Sequence, residues 1–229
     1  MYFVTYVKQR KQLFCAFIDF TKAFDYVVRD FLWSKLNKLG LRGNILNMIR
    51  SMYVAVKSRV TSCCDSKSEQ VLSNSFECTL GVIQGECLSP FLYSMFLNDI
   101  EEKFIHKSLN GIDVNMFKVF LILYADDIVV FANSISELQE SLDLLFDYCQ
   151  GWKVLVNTSK TKIMILRKGG RLNFYYNNIW IEIVNKFSYL GIVFTIGGSL
   201  SEAQNILSGK ALKAIFKLNK YLYKFTMCQ

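Results

Sequence analysis

Apolar and polar positions along this chain change period several times, and each change predicts an element. LFCAFID, 13–19, is a short apolar run closed by an acid and suits a buried strand. In DYVVRDFLWSKLNKLG, 25–40, Val27, Val28, Phe31, Leu32, Leu36 and Leu39 recur near helical spacing. Gly40 then serves as a C-terminal cap, and Asp25 is read as a helix-start residue. NILNMIRSMYVAV, 44–56, predicts a second helix, and the polar SCCDSKSEQVLSNS, 62–75, a loop or hairpin. The only proline, Pro90, suits the first turn of one long helix over PFLYSMFLNDIEEKF, 90–104.

The run FLILYADDIVVFA, 120–132, predicts a hairpin with arms Val119–Tyr124 and Ile128–Phe131 and its tip at Ala125–Asp127. In NSISELQESLDLLFDYCQ, 133–150, Ile135, Leu138, Leu142, Leu145 and Cys149 form one helical face, with Ser134 and Glu137 placed for a capping box. KIMIL, LNFYYNN, WIEIV and FSYLGIVF read as short strands, followed by a basic helix from about Ser201 to Tyr223. Strands alternating with helices, then a group of short strands, predict an α+β domain with an antiparallel sheet packed with helices.

Composition narrows the function. At 229 residues and 52% hydrophobic, the chain can bury one good core or two small ones. Its seven cysteines form no CxxC pair and His106 is the only histidine, so zinc-ligand spacing is absent. The odd cysteine count fits a reducing, intracellular setting, nuclear or cytoplasmic. No apolar run approaches the roughly 18 residues of a membrane span, so neither a membrane segment nor a secretory signal is expected. Charge is distributed unevenly: residues 1–60 carry 11 Lys/Arg against 3 Asp/Glu, 61–150 carry 4 against 14, and 151–229 carry 12 against 2. An acidic centre between basic arms suits cations held in the middle with a polyanion on either side, or simply solvated faces of opposite sign.

Asp126 and Asp127 are the costly residues of the hairpin, because adjacent acids within an apolar run need a cation or a turn hydrogen bond to offset them. Hard divalent cations take oxygen ligands from one or two carboxylates together with substrate phosphates, and a two-metal site needs a further acid. Asp19, at the end of LFCAFID, is the best supplier.

Several longer stretches carry a resemblance. YADD, 124–127, matches a YxDD motif; AFIDFTKAFDYV, 16–27, matches the motif of a first catalytic Asp; and LGVIQGECLSPFLYSMFLNDI, 80–100, matches GxxQGxxLSPxLFxxxLND. In this order and spacing they resemble the reverse transcriptase of LINE-like, non-LTR retrotransposons. The resemblance implies a polymerase palm over 1–195 with partial fingers, and the start of a basic thumb-like segment over 196–229. Fingers are then expected to be truncated and the thumb incomplete, with those segments and an endonuclease supplied elsewhere in cis.

It further implies that Asp19 and Asp126 bridge two Mg²⁺ or Mn²⁺ ions with Asp127 beside them. Phe24 would be the steric gate against a ribose 2′-hydroxyl, or else a core aromatic. Gln84 and Gly85 would contact nucleotide and template, or else form a turn before a helix. WKVLVNTSKTKIMI, 152–165, places Asn157 and Lys160 at signature positions. Lys160 would sit near the leaving pyrophosphate, a solvated surface lysine being the alternative. FSYLGIVF, 187–194, matches an FxYLG hairpin that supports the primer end, through Tyr189, Leu190 and Gly191. The implied partners are an RNA template, a DNA primer and dNTPs. The rival is an inactive retroelement remnant that at most binds nucleic acid; a palm-like nucleotidyl cyclase has no use for the QG block. The Lys-rich tail, LSGKALKAIFKLNKYLYK, fits duplex contact or packing on the palm.

Overall fold

The computed structural model describes residues 12–62, 71–166 and 172–226. Strands β1 (Leu13–Ile18), β8 (Leu121–Tyr124), β9 (Asp127–Ala132), β10 (Lys162–Leu166), β11 (Phe174–Tyr176) and β12 (Ile179–Ile183) form one sheet in the order β11-β12-β10-β1-β9-β8. β1 lies in its middle, antiparallel to both β9 and β10. That position explains why LFCAFI is apolar throughout: every residue of β1 is buried, on one face or the other. The expected all-antiparallel sheet needs one correction, because β10 pairs with β12 in parallel. The β11–β12 hairpin turns at Asn177–Asn178, both at positive φ, and so returns β12 alongside β10.

The strand alternation sorts the core into two layers. Phe14, Ala16, Ile18, Ile128, Val130, Ala132, Ile163 and Ile165 pack beneath helices α1 (Arg29–Lys38), α3 (Ser89–Leu97) and α5 (Ile135–Trp152). Leu13, Cys15, Phe17, Val129, Phe131, Met164 and Leu166 face the other way. They are covered by the hairpins β6 (Ile112–Val114) with β7 (Phe117–Val119), and β13 (Lys186–Tyr189) with β14 (Ile192–Thr195). Helices α2 (Asn44–Ser51) and α4 (Ile100–His106) complete the helical layer. Two short ladders, β3 (Thr61–Ser62) with β4 (Val71–Leu72) at the ends of the predicted loop or hairpin and β2 (Lys57–Ser58) with β5 (Phe76–Glu77) flanking it, bracket its middle, 63–70, which lies outside the described residues. Helix α6 (Ser201–Thr226) leaves the sheet beyond β14.

Three other expectations change. The helix over 25–40 begins only at Arg29, with Val28 at its N-cap, so Asp25 is not a helix-start residue. The long helix after Pro90 is two helices broken at Asn98–Asp99. Lys35 Nζ donates to the Phe96 carbonyl at 2.5 Å and to Asp99 Oδ1 at 2.5 Å, diverting a carbonyl that a continuous helix would keep for its own ladder. Ser134 does cap α5, accepting from the Glu137 backbone N–H, but Glu137 does not complete the box. Its carboxylate accepts instead from the backbone N–H groups of Asn110, Gly111 and Asn133. Among the described residues no helix is long and apolar enough to cross a membrane.

Candidate active site

Asp19 follows β1 directly, and its backbone is held from both sides. Its N–H donates to Thr161 Oγ1 at 3.2 Å, and its carbonyl accepts from the Asn157 N–H at 2.7 Å. The Phe20–Val156 bridge and the Thr21 N–H bond to the Leu155 carbonyl extend this attachment. The side chain is less well provided for: Asp19 Oδ2 is buried with no hydrogen-bond partner, and Lys160 Nζ stands 3.9 Å away. A buried carboxylate oxygen without a donor suits an electropositive ligand.

Asp127 pairs with Tyr124, so it opens β9 rather than sitting in the tip as the hairpin pattern predicts. The turn is Ala125–Asp126 alone, with Ala125 at φ 51°, a conformation costly for a side chain and common where function holds the backbone in place. Alternation puts Asp127 on the same face as Val129 and Phe131, the face covered by β13–β14. There Asp19, Asp127, Lys160 and Tyr189 line a cleft of about 390 Å³, floored by Phe17 and Phe187. The Phe17 ring stacks on Phe187 with centroids 4.3 Å apart and lies 5.7 Å from Tyr189.

Electrostatics ties the three acids together. The Asp127 carboxyl is pushed above the usual range by burial first, then by the charges of Asp126 and Asp19. Across the cleft the Tyr189 hydroxyl, itself without a hydrogen-bond partner, is pushed up to about 12 by burial and by Asp127. The Asp126 charge also reaches α3, where burial and then Asp126 raise the Tyr93 hydroxyl. Among the described residues no group of three or more His, Cys, Asp or Glu that could hold a metal ion is preassembled. The donors present fit a hard divalent cation that completes its shell with substrate oxygens and water, rather than one enclosed by protein.

The remaining predicted residues divide between two places. The Phe24 ring stacks on Tyr93 at 5.0 Å and is half-buried, so it packs on the core without being part of it. Gln84 reaches it through the loop 80–84: the Val82 N–H donates to the Phe24 carbonyl at 2.8 Å, and Gln84 Nε2 donates to Asp25 Oδ1 at 2.7 Å. Gly85 has φ 84° with open space where a side chain would stand. Lys160 is mostly exposed. Leu190–Gly191, both at positive φ, form the two-residue turn of β13–β14, next to Tyr189 in the cleft. Sequence reading gave Asp25 only a structural role and assigned none to Thr161 or Gly81. Gly81 belonged to a quoted motif, but only tertiary contact shows that a Cβ there would meet the Asp25 carbonyl at 2.7 Å.

Comparison with known proteins gives the same picture. The family described as reverse transcriptase (RNA-dependent DNA polymerase) matches residues 4–194. The RNA-directed DNA polymerase from mobile element jockey of Drosophila melanogaster is 29% identical over 186 residues, covering 77% of this chain and 19% of that protein. A probable RNA-directed DNA polymerase from transposon BS of the same fly is 33% identical over 63% of this chain and 15% of that protein. The Pol polyprotein from type-1 retrotransposable element R2 of Bradysia coprophila is 26% identical over 82% of this chain and 22% of that protein. The chain thus spans about a fifth of the length of these curated relatives. In fold it is similar to apo telomerase from Candida tropicalis, with a TM-score of 0.54 at 13% identity, over 84% of this chain and 37% of that one in the C-terminally truncated form. The YADD hairpin beside Asp19, the palm-like sheet that carries both and the match over 4–194 together show that this chain belongs to the reverse transcriptase family, as a domain of the LINE-like, non-LTR kind.

Proposed function

We propose that this chain supplies the palm of an RNA-directed DNA polymerase that adds deoxynucleotides to a primer 3′-hydroxyl along an RNA template. The observation that carries the reading is the gathering of carboxylates where β1 and β9 meet: the Asp127 carboxyl is raised by burial and then by the charges of Asp126 and Asp19, and Asp19 Oδ2 is buried without a hydrogen-bond donor, with Lys160 Nζ 3.9 Å away. Reverse transcriptase domains use divalent metal ions. Here Mg²⁺, or Mn²⁺ in its place, would be held by Asp19, Asp126 and Asp127. Bound there, the metal supplies a lower pKa for the attacking hydroxyl and neutralises charge on the transferring phosphoryl group. The chain itself positions and excludes. Phe24 closes the space at the sugar 2′ carbon, while Gln84 and Gly85 border nucleotide and template. Lys160 brings positive charge toward the leaving pyrophosphate. Tyr189, Leu190 and Gly191 support the primer end. Residues 1–195 form the palm with partial fingers, and 196–229 begin a thumb-like helix. The free thiols Cys15, Cys78, Cys87 and Cys149 fit a reducing, intracellular setting.

The test is primer extension on an RNA template with dNTPs and Mg²⁺ or Mn²⁺, with Asp126→Asn alongside. That nearly isosteric change removes a ligand charge and should reduce turnover by about a thousandfold or more while leaving thermal melting unchanged. A variant that keeps most of its turnover would rule out the assigned metal seat. Wild-type protein that binds primer–template but extends nothing would favour the reading as an inactive remnant that at most binds nucleic acid.

A further inference from the structure

Two segments separate in sequence, one following Asp19 and one at 80–84, are joined by backbone hydrogen bonds. The Gly81 N–H donates to the Val27 carbonyl at 2.9 Å, and the Val82 N–H to the Phe24 carbonyl at 2.8 Å. Arg29 fastens the same junction: Nε donates to the Gly81 carbonyl, Nη2 to Leu80 and Nη1 to Tyr53. The φ of 80° at Gly81, and the absence of a Cβ that would strike the Phe24 and Asp25 backbone, allow the two to approach this closely. The junction presents a polar pair, Gln84 and Asp25, at the edge of a cavity of about 610 Å³ that both line together with Arg29.

A carboxylate only accepts, so the 2.7 Å bond from Gln84 Nε2 settles which end of the Gln84 amide faces Asp25. One of its two N–H donors is taken, and Oε1 is turned away as an acceptor. Nucleotide phosphates also only accept and cannot satisfy it, whereas sugar hydroxyls donate and are common to all four nucleotides. Both side chains are exposed, and an exposed hydrogen bond adds little to stability, so the pair calls for a role other than holding the fold.

We propose that Asp25 is a positioning residue of the nucleotide pocket: it fixes the Gln84 amide beside the Phe24 ring so that Oε1 meets a sugar hydroxyl of the incoming nucleotide. This inference rests on the polymerase reading above. Its test uses an oligo(dT) primer on poly(rA), with dTTP and dideoxy-TTP compared in wild type, Asp25→Leu, Asp25→Asn and Asp126→Asn. Asp25→Leu should raise the KM for dTTP about tenfold with kcat nearly unchanged, and should lose the preference for dTTP over the analogue that lacks the 3′-hydroxyl. Asp25→Asn, whose Oδ1 still accepts, should restore both, and all variants should melt with the wild type. An Asp25→Leu protein that extends with wild-type KM and preference overturns the inference and leaves the polymerase intact. So does an Asn variant no better than Leu. Wild type as inert as Asp126→Asn overturns the polymerase reading, and the inference with it.

Discussion

Single side chains in this protein take their meaning from partners that lie far away in sequence. Gly81 is the sharpest case: a Cβ at φ 80° would stand 2.7 Å from the Asp25 carbonyl and 2.8 Å from that of Phe24, both backbone atoms that cannot swing aside. Gly81→Ala should therefore destabilise by about 3 kcal/mol, read as a lower urea midpoint at unchanged m. Lys35 shows the same dependence on surroundings. Its Nζ is buried 3.8 Å from the Trp152 ring centroid and donates to Asp99, to the Phe96 carbonyl and to the Tyr148 hydroxyl at 2.7 Å. Burial outweighs the help from Asp99 and lowers its pKa from 10.5 to about 8. Between those values the unfolded chain binds more protons, so stability should rise with pH through the window, the penalty being largest below about pH 8. The buried thiols Cys15 and Cys149 are raised by burial and act the other way in alkali. Melting of wild type against Lys35→Met isolates the lysine: the wild type should gain on the variant from about pH 8 to about pH 10.

At the scale of elements, a few side chains decide where helices stop and how loops sit. Lys35 and Asp99 break what apolar spacing predicts as one helix, because the Phe96 carbonyl and the Asp99 carboxylate both turn to a lysine on α1. Glu137 was legible only as half of a capping box. It is 6% exposed and its two oxygens take three backbone N–H groups, two of them from the loop that leads into β6. Asn133 Nδ2 donates to the Gly111 carbonyl in the same cluster. Glu137→Ala leaves those donors without an acceptor and should cost about 3 kcal/mol in chemical denaturation. Glu137→Gln, which keeps one carbonyl oxygen, should cost less.

For the whole molecule, charge layout links the fold to its proposed polyanion partners. The acidic third of the chain contributes Asp126 and Asp127, while α6 exposes Lys210, Lys213 and Lys217. If those lysines meet the phosphates of a primer–template duplex, replacing all three with Gln should weaken binding on every sequence alike. The slope of log affinity against log salt should become shallower by about 0.9 for each duplex phosphate that a lysine no longer neutralises. An unchanged slope would assign α6 to packing alone.

The sequence by itself determined most of the strands and helices, though not the β6–β7 hairpin or the break at Asn98–Asp99, together with the identity and order of the family's motifs and the candidate acids Asp19, Asp126 and Asp127. Periodicity and motif spacing are local, and a strand buried on both faces declares itself as the unbroken run LFCAFI. Only the tertiary structure decided the parallel pairing of β10 with β12, the sharing of one cleft by Asp19, Asp127 and Tyr189, and the bond from Gln84 to Asp25. Each of these depends on which face a side chain presents and on which distant backbone lies within reach. Those are properties of packing, and local sequence does not carry them.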